Sequence, residues 1–167
     1  MLITKEVEVI KIQDMPVICL QHIGPYMGDS NLFGELFGKL FRWAGDRGLI
    51  SFPLTKMLTL YHGNPDTTPE ADQKISVCIT VPKSAEAEDE MVKIKISGGN
   101  YAVGHFEVSA DEYGEAWSYL TEKWLPESNF SPDEKPCFEL YLNDPETHPE
   151  KKHIVDIYMP VKLRSEA

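Results

Sequence analysis

The residue most suggestive of chemistry in this chain is Glu139, a single carboxylate in the apolar hexapeptide Cys137-Phe138-Glu139-Leu140-Tyr141-Leu142. Pro136 before it and Asn143-Asp144-Pro145 after it bound the run as a strand. Strand side chains alternate between faces, so Cys137, Glu139 and Tyr141 share one side and Phe138, Leu140 and Leu142 the other. An acid in such company needs either water or a partner, because an unpaired buried charge is costly. Two readings stay open at this stage: a wet sheet face, or a pocket in which the carboxyl meets a ligand.

Other signatures of chemistry are missing. The five histidines (His22, His62, His105, His148, His153) show no HxxxH or HExxH spacing, so no metal is expected, and no cofactor motif is present. There is no Gly-rich phosphate loop and no nucleophile elbow. Cys19, Cys78 and Cys137 lie far apart in apolar runs, which suits reduced core thiols. A net charge of −11, from 27 acidic and 16 basic residues, argues against direct nucleic-acid binding and favours cationic ligands. No apolar run approaches the ~20 residues of a membrane span, and the start of the chain lacks a signal-peptide core, so a soluble cytoplasmic protein is expected.

The elements that must position Glu139 come in a repeated order. Strands are expected at Val7 to Ile12 and Val17 to Ile23. A helix follows from about Ser30, with the stripe Phe33, Leu36, Phe37, Leu40, Phe41 and Ala44 and a stop at Gly48. Strands near Met57 to Tyr61 and Ile75 to Val81 complete the first set. After a charged segment, 83–90, the order resumes with strands at Met91 to Ile96 and Tyr101 to Val108. The second helix is opened by Ser109 with Glu112 in capping-box spacing and carries the stripe Tyr113, Ala116, Trp117, Leu120 and Trp124. Two strands, Cys137 to Leu142 and His153 to Pro160, end the set. Repeat 1 thus spans about 1–82 and repeat 2 about 91–162, with 83–90 as linker, in one domain over 1–167.

The repeat is also literal. Leu60 to Pro69 lies over Leu140 to Pro149 at an offset of 80 residues, with Leu, Tyr and both prolines coinciding. Thr59 then corresponds to Glu139, and Tyr61 to Tyr141. If Leu58, Leu60, Phe138 and Leu140 occupy the helix-covered faces, the opposite faces carry Met57, Thr59, Tyr61, Cys137, Glu139 and Tyr141. That mixed aromatic and polar wall with one charge is the composition of many ligand pockets. Both tryptophans of the second helix are expected to pack it against the sheet.

Several strings in this chain resemble the GyrI-like effector-binding family. They are His22-Ile23-Gly24-Pro25-Tyr26, Glu115-Ala116-Trp117, Trp124-Leu125-Pro126-Glu127-Ser128 and, above all, Pro136 to Pro145. The resemblance runs in order along nearly the whole chain. It implies an α+β fold of duplicated β-β-α-β (SHS2-type) modules with pseudo-two-fold symmetry, mostly antiparallel sheets and a ligand groove between the halves. It further implies a glutamate at position 139 that meets cationic, lipophilic compounds in an aromatic-lined pocket. Tyr141 and Tyr61 would form its walls, Met57, Thr59 and Cys137 further lining, and Tyr26 a rim. Where the first repeat has Gly24-Pro25-Tyr26, the second has Val108-Ser109-Ala110, so one rim aromatic is missing. The chain starts at the first strand of the module and so resembles stand-alone members, without the DNA-binding region of drug-responsive activators. The expectation is a binding protein that sequesters or senses small amphipathic molecules, with DNA gyrase as a partner suggested by the family. The alternative is a hydrolase of reactive cyclopropane-bearing compounds, with Glu139 as general acid or base, since a desolvated carboxyl has a raised pKa.

Overall fold

The computed structural model describes residues 3–26, 29–52, 54–63 and 67–164. Asn64, Pro65 and Asp66 of the repeated decapeptide lie outside the described residues, as do Met1 and Leu2 of the start read for a signal peptide. Strands β1 (Ile3–Ile12) and β2 (Met15–Ile23) precede helix α1 (Ser30–Asp46); β3 (Met57–His62), β4 (Lys74–Thr80) and β5 (Val92–Ile96) follow it. The second half holds β6 (Gly99–Val108), α2 (Tyr113–Ser118), a π-helical segment (Tyr119–Trp124), α3 (Leu125–Glu127), β7 (Phe130–Pro132), β8 (Cys137–Tyr141) and β9 (His153–Leu163). All strand pairs described are antiparallel. No helix is long and apolar enough to cross a membrane among the described residues.

The chain folds as two compact units, one of residues 14–97 and one of residues 1–13 with 98–167. These do not follow the sequence halves. In the first, β3 pairs with β4, β4 with β2, and β2 with β5. In the second, β8 pairs with β9, β9 with β6, and β6 with β1, while β7 adds to the end of β9. Both units therefore have the same pairing order, yet each takes its outermost strand from the other half of the sequence. A two-residue hairpin linking β1 to β2 would need left-handed backbone at its centre. Neither Gln13 nor Asp14 has a positive φ, so the chain runs on from one unit into the next. The boundaries thus fall near residues 13 and 97. The segment 83–90, expected as a linker, is built into the 14–97 unit: Ala85 joins its core, and the Asp89 carboxylate accepts from Trp43 Nε1 at 3.0 Å.

Helix α1 begins where Asp29 accepts the Leu32 N–H at 3.0 Å, and it ends with Gly48 at φ 68°, the left-handed conformation that a glycine takes without strain. Its expected stripe is the buried one. Leu40 and Ala44 are fully buried with Ile18, Val77 and Ile79, and Phe33, Leu36, Phe37 and Phe41 pack around them. In the other unit Ala116 and Leu120 are fully buried against Ala102, Phe106, Val108, Val155 and Ile157. Only half of the Ser109–Glu112 capping box forms: Glu112 accepts the Ser109 N–H at 2.8 Å, but the Ser109 hydroxyl also donates to that carboxylate at 2.7 Å, the Glu112 N–H goes to the Ser109 carbonyl, and the helix starts at Tyr113 with Glu112 as its N-cap.

One expectation about faces is reversed. Directly paired residues point to the same side of a sheet, and Glu139 pairs with Ile157, while Phe138 pairs with Tyr158. Ile157, Cys137 and Tyr141 belong to the cluster beneath α2, so the face bearing Glu139 is the helix-covered one. Phe138 lies on the other face, stacked on Tyr158 at 4.5 Å with Tyr101 edge-on at 5.7 Å. The same reversal holds in the 14–97 unit, where Thr59 pairs with Val77 and Met57 with Ile79, both residues of the α1-covered core. Aromatic stacking absorbs Phe138 as well as burial under a helix would, so residue type alone did not decide the side.

Candidate functional site

Glu139 is 4% exposed, at the middle of β8 and under the first turns of α2. Its Oε2 accepts the indole N–H of Trp117 at 2.6 Å, and its Oε1 accepts the hydroxyl of Tyr141 at 2.9 Å. The short distance from Trp117 is that of a strong bond to an acidic acceptor. Tyr113 stands one helical turn before Trp117, on the same stripe. Burial raises the Tyr113 phenol pKa, and the charge of Glu139 nearby raises it further. Its hydroxyl lies 2.6 Å from Nδ1 of His153, whose own pKa is lowered by burial. The phenol keeps its proton beside a neutral imidazole, and the His153 tautomer sets the direction of this bond: the hydroxyl donates when the ring proton is on Nε2 and accepts when it is on Nδ1. Cys137 completes the face, its thiol pushed up to about 11 by burial and so protonated at neutral pH.

A carboxyl is thus presented amid Trp117, Tyr113 and Tyr141, with two neutral donors holding its oxygens. Such a group can balance a cation whose hydrocarbon faces the rings, or it can exchange a proton with a bound molecule. The helix that carries Trp117 passes straight into the π-helical segment Tyr119–Trp124; π turns concentrate at functional positions, where they re-aim side chains.

Of the expected site residues, Glu139, Tyr141 and Cys137 come together in this unit. Met57, Thr59 and Tyr61 share one face of β3 in the 14–97 unit, where Thr59 is fully buried. Tyr26, 8% exposed, meets Tyr61 at a ring separation of 5.7 Å and Phe33 edge-on at 6.4 Å. Trp117, Tyr113 and His153 join the cluster around Glu139, a grouping that sequence reasoning missed. Trp117 does pack its helix on the sheet, but its N–H had to find an acceptor there, and Glu139 was the acid in reach.

Residues 5–162 match the GyrI-like small molecule binding domain. A protein of Yersinia enterocolitica (serotype O:8 / biotype 1B) named DNA gyrase inhibitor is 30% identical over 141 residues, covering 82% of this chain and 86% of that one. Among solved structures, the C-terminal domain of EcmrR superposes with a TM-score of 0.74 at 17% identity, over 95% of this chain and 98% of that domain. In the EcmrR–DNA complex the chain spans 58% of the EcmrR length. SAV2435, solved bound to tetraphenylphosphonium, superposes with a TM-score of 0.61 at 15% identity, over 95% of this chain and 94% of that one. The match of residues 5–162, with the α+β architecture of antiparallel sheet and helices shared with these domains, places the chain in the GyrI-like small-molecule-binding family.

Proposed function

We propose that the protein binds amphipathic, cationic molecules, and that Glu139 is the group that meets the positive charge. The observation that carries this reading is the setting of Glu139, a carboxyl 4% exposed that is bonded to Trp117 and Tyr141 within an aromatic cluster. Tyr113, Trp117 and Tyr141 offer ring faces, and Cys137 offers soft, uncharged lining. SAV2435, a fold relative, was solved with tetraphenylphosphonium, a lipophilic cation, which supports the choice of ligand class. The matching strand order of the two units supports the reading of a duplicated β-β-α-β module. Thr59 where the other unit has Glu139 supports a division of labour in which one copy keeps the charge. The names of the relatives favour DNA gyrase as the partner to test first.

The test is titration of the protein with tetraphenylphosphonium and with neutral triphenylphosphine oxide, read by tryptophan fluorescence. Glu139→Gln should lower affinity for the cation by about tenfold or more, on the order of 1.4 kcal/mol, while the neutral compound binds as before. Equal affinity of the variant and the wild type for the cation would remove Glu139 from the site. The same carboxyl could instead serve as a general base on water. Mass spectrometry of a cyclopropane-bearing electrophile incubated with the protein distinguishes the two, since a product heavier by one water that is lost in Glu139→Gln assigns hydrolysis.

A further inference from the structure

On the sheet face opposite Glu139, three strands of the same unit bring an imidazole and three carboxylates into one row. His105 of β6 pairs directly with Glu6 of β1 on one side and with Asp156 of β9 on the other. Glu8, two residues along β1, falls on the same face and diagonal to His105. The pairing of β1 with β6 shifts by one residue between Thr4 and Glu6, and this bulge sets Glu6 opposite the imidazole. One ligand atom each from Glu6, Glu8 and His105 lies within 4.8 Å of the others, with His105 Nε2 3.0 Å from Glu8 Oε1. Nδ1 of the same ring is 2.7 Å from Oδ1 of Asp156, which is 7% exposed.

The imidazole gives this group a character that clustered surface acids lack. A metal-bound histidine characteristically donates its second ring N–H to a carboxylate, which fixes the tautomer and aims the free lone pair. Asp156 is placed for that bond, and Nε2, which faces Glu6 and Glu8, is hydrogen-bonded to Glu8 until an ion displaces its proton. Around a zinc ion with bonds of about 2.0–2.2 Å, ligand atoms stand roughly 3.3–3.5 Å apart. An ion there takes the place of the proton that Nε2 shares with Glu8 across 3.0 Å and widens that pair by a few tenths of an ångström, while the exposed Glu6 side chain approaches by a change of rotamer. One nitrogen and two carboxylate oxygens form a donor set for zinc and similar divalent ions, and three protein ligands leave a fourth position open.

We propose that Glu6, Glu8 and His105 bind a divalent ion of the zinc class, with Asp156 orienting the histidine from behind. The site is independent of Glu139, which lies on the other face of the sheet. The test uses tag-free protein and Zn²⁺ in competition with a chromogenic chelator, with Co²⁺ absorption as a second readout. The wild type should retain one Zn²⁺ per chain. Glu6→Gln/Glu8→Gln and His105→Gln should each abolish this binding, and Asp156→Asn should weaken it by roughly tenfold or more. The Glu6/Glu8 pair is exposed, so that variant keeps its fold by circular dichroism even if a change at His105 or Asp156 does not. Failure of the wild type to hold Zn²⁺ against the chelator would overturn the proposal, leaving His105 as an ion-pair partner of Glu8 and Asp156. Zn²⁺ binding unchanged in Glu6→Gln/Glu8→Gln would overturn it equally.

Discussion

Removing the indole donor to Glu139 tests the site most directly. Trp117→Phe keeps an aromatic ring on α2 and deletes one bond, the 2.6 Å contact to Oε2. Hydrogen bonds to charged groups contribute about 1.5–3 kcal/mol, and a buried acceptor stripped of its donor carries that cost in full. For a chain of this length such a loss lowers the thermal midpoint by roughly 3–12 °C. Phenylalanine is also smaller than tryptophan, so the single variant mixes packing with hydrogen bonding. A double-mutant cycle separates the two: Glu139→Leu removes the acceptor, and its loss of the Tyr141 bond is common to both arms and cancels. The cycle, followed by far-UV circular dichroism in urea, should give a coupling energy of about 1.5–3 kcal/mol, the double variant being more stable than the singles predict by addition. A coupling below about 0.5 kcal/mol, within the scatter of independent sites, would refute the view that Trp117 and Glu139 act as a bonded pair.

Two further outcomes follow from packing and charge. A β-carbon at Gly104 would lie 2.4 Å from Cε2 of Phe106, a ring 1% exposed and hemmed in by the core, so Gly104→Ala should cost about 1–3 kcal/mol by overpacking, measured by urea denaturation. The Ser109 N–H bond to Glu112 is the main reason its carboxyl titrates at about 2, below the unfolded range. A depressed folded pKa gives stability that is present above the unfolded pKa of about 4.3 and lost as pH falls towards 2; Glu112→Gln should flatten the acid limb of the stability curve there, and an unchanged limb would exclude the bond as its source.

What could be read from the letters depended on whether the signal was local. The stripe from Phe33 to Ala44 identified α1 and its buried side because helical periodicity is contained in one segment. The Ser109–Glu112 pair marked its turn for the same reason. Alternation along Cys137 to Tyr141 correctly grouped Glu139 with Tyr141, but which group lay under the helix depended on what the opposite face packed against. There Tyr158 and Tyr101 gave Phe138 an aromatic stack that no local pattern announces. No local pattern pairs His105 with Glu8, because 97 residues separate them. Short β7 carries Pro132 and too few residues to alternate, so nothing in its letters distinguished it from a loop.

The departure of β1 and β5 from their own sequence halves bears on how the protein is made. During synthesis β1 emerges first but must wait unpaired until β6 has been translated, whereas all the strands of the 14–97 unit are available once β5 is out. The nascent chain therefore carries a free N-terminal strand past a unit that can already close, and the last unit to assemble is the one that holds Glu139. A chain ended after β5 would hold every strand of the 14–97 unit and none of the cluster around Glu139, and a truncation that removes β1 would damage the distant end of the chain more than the adjacent unit.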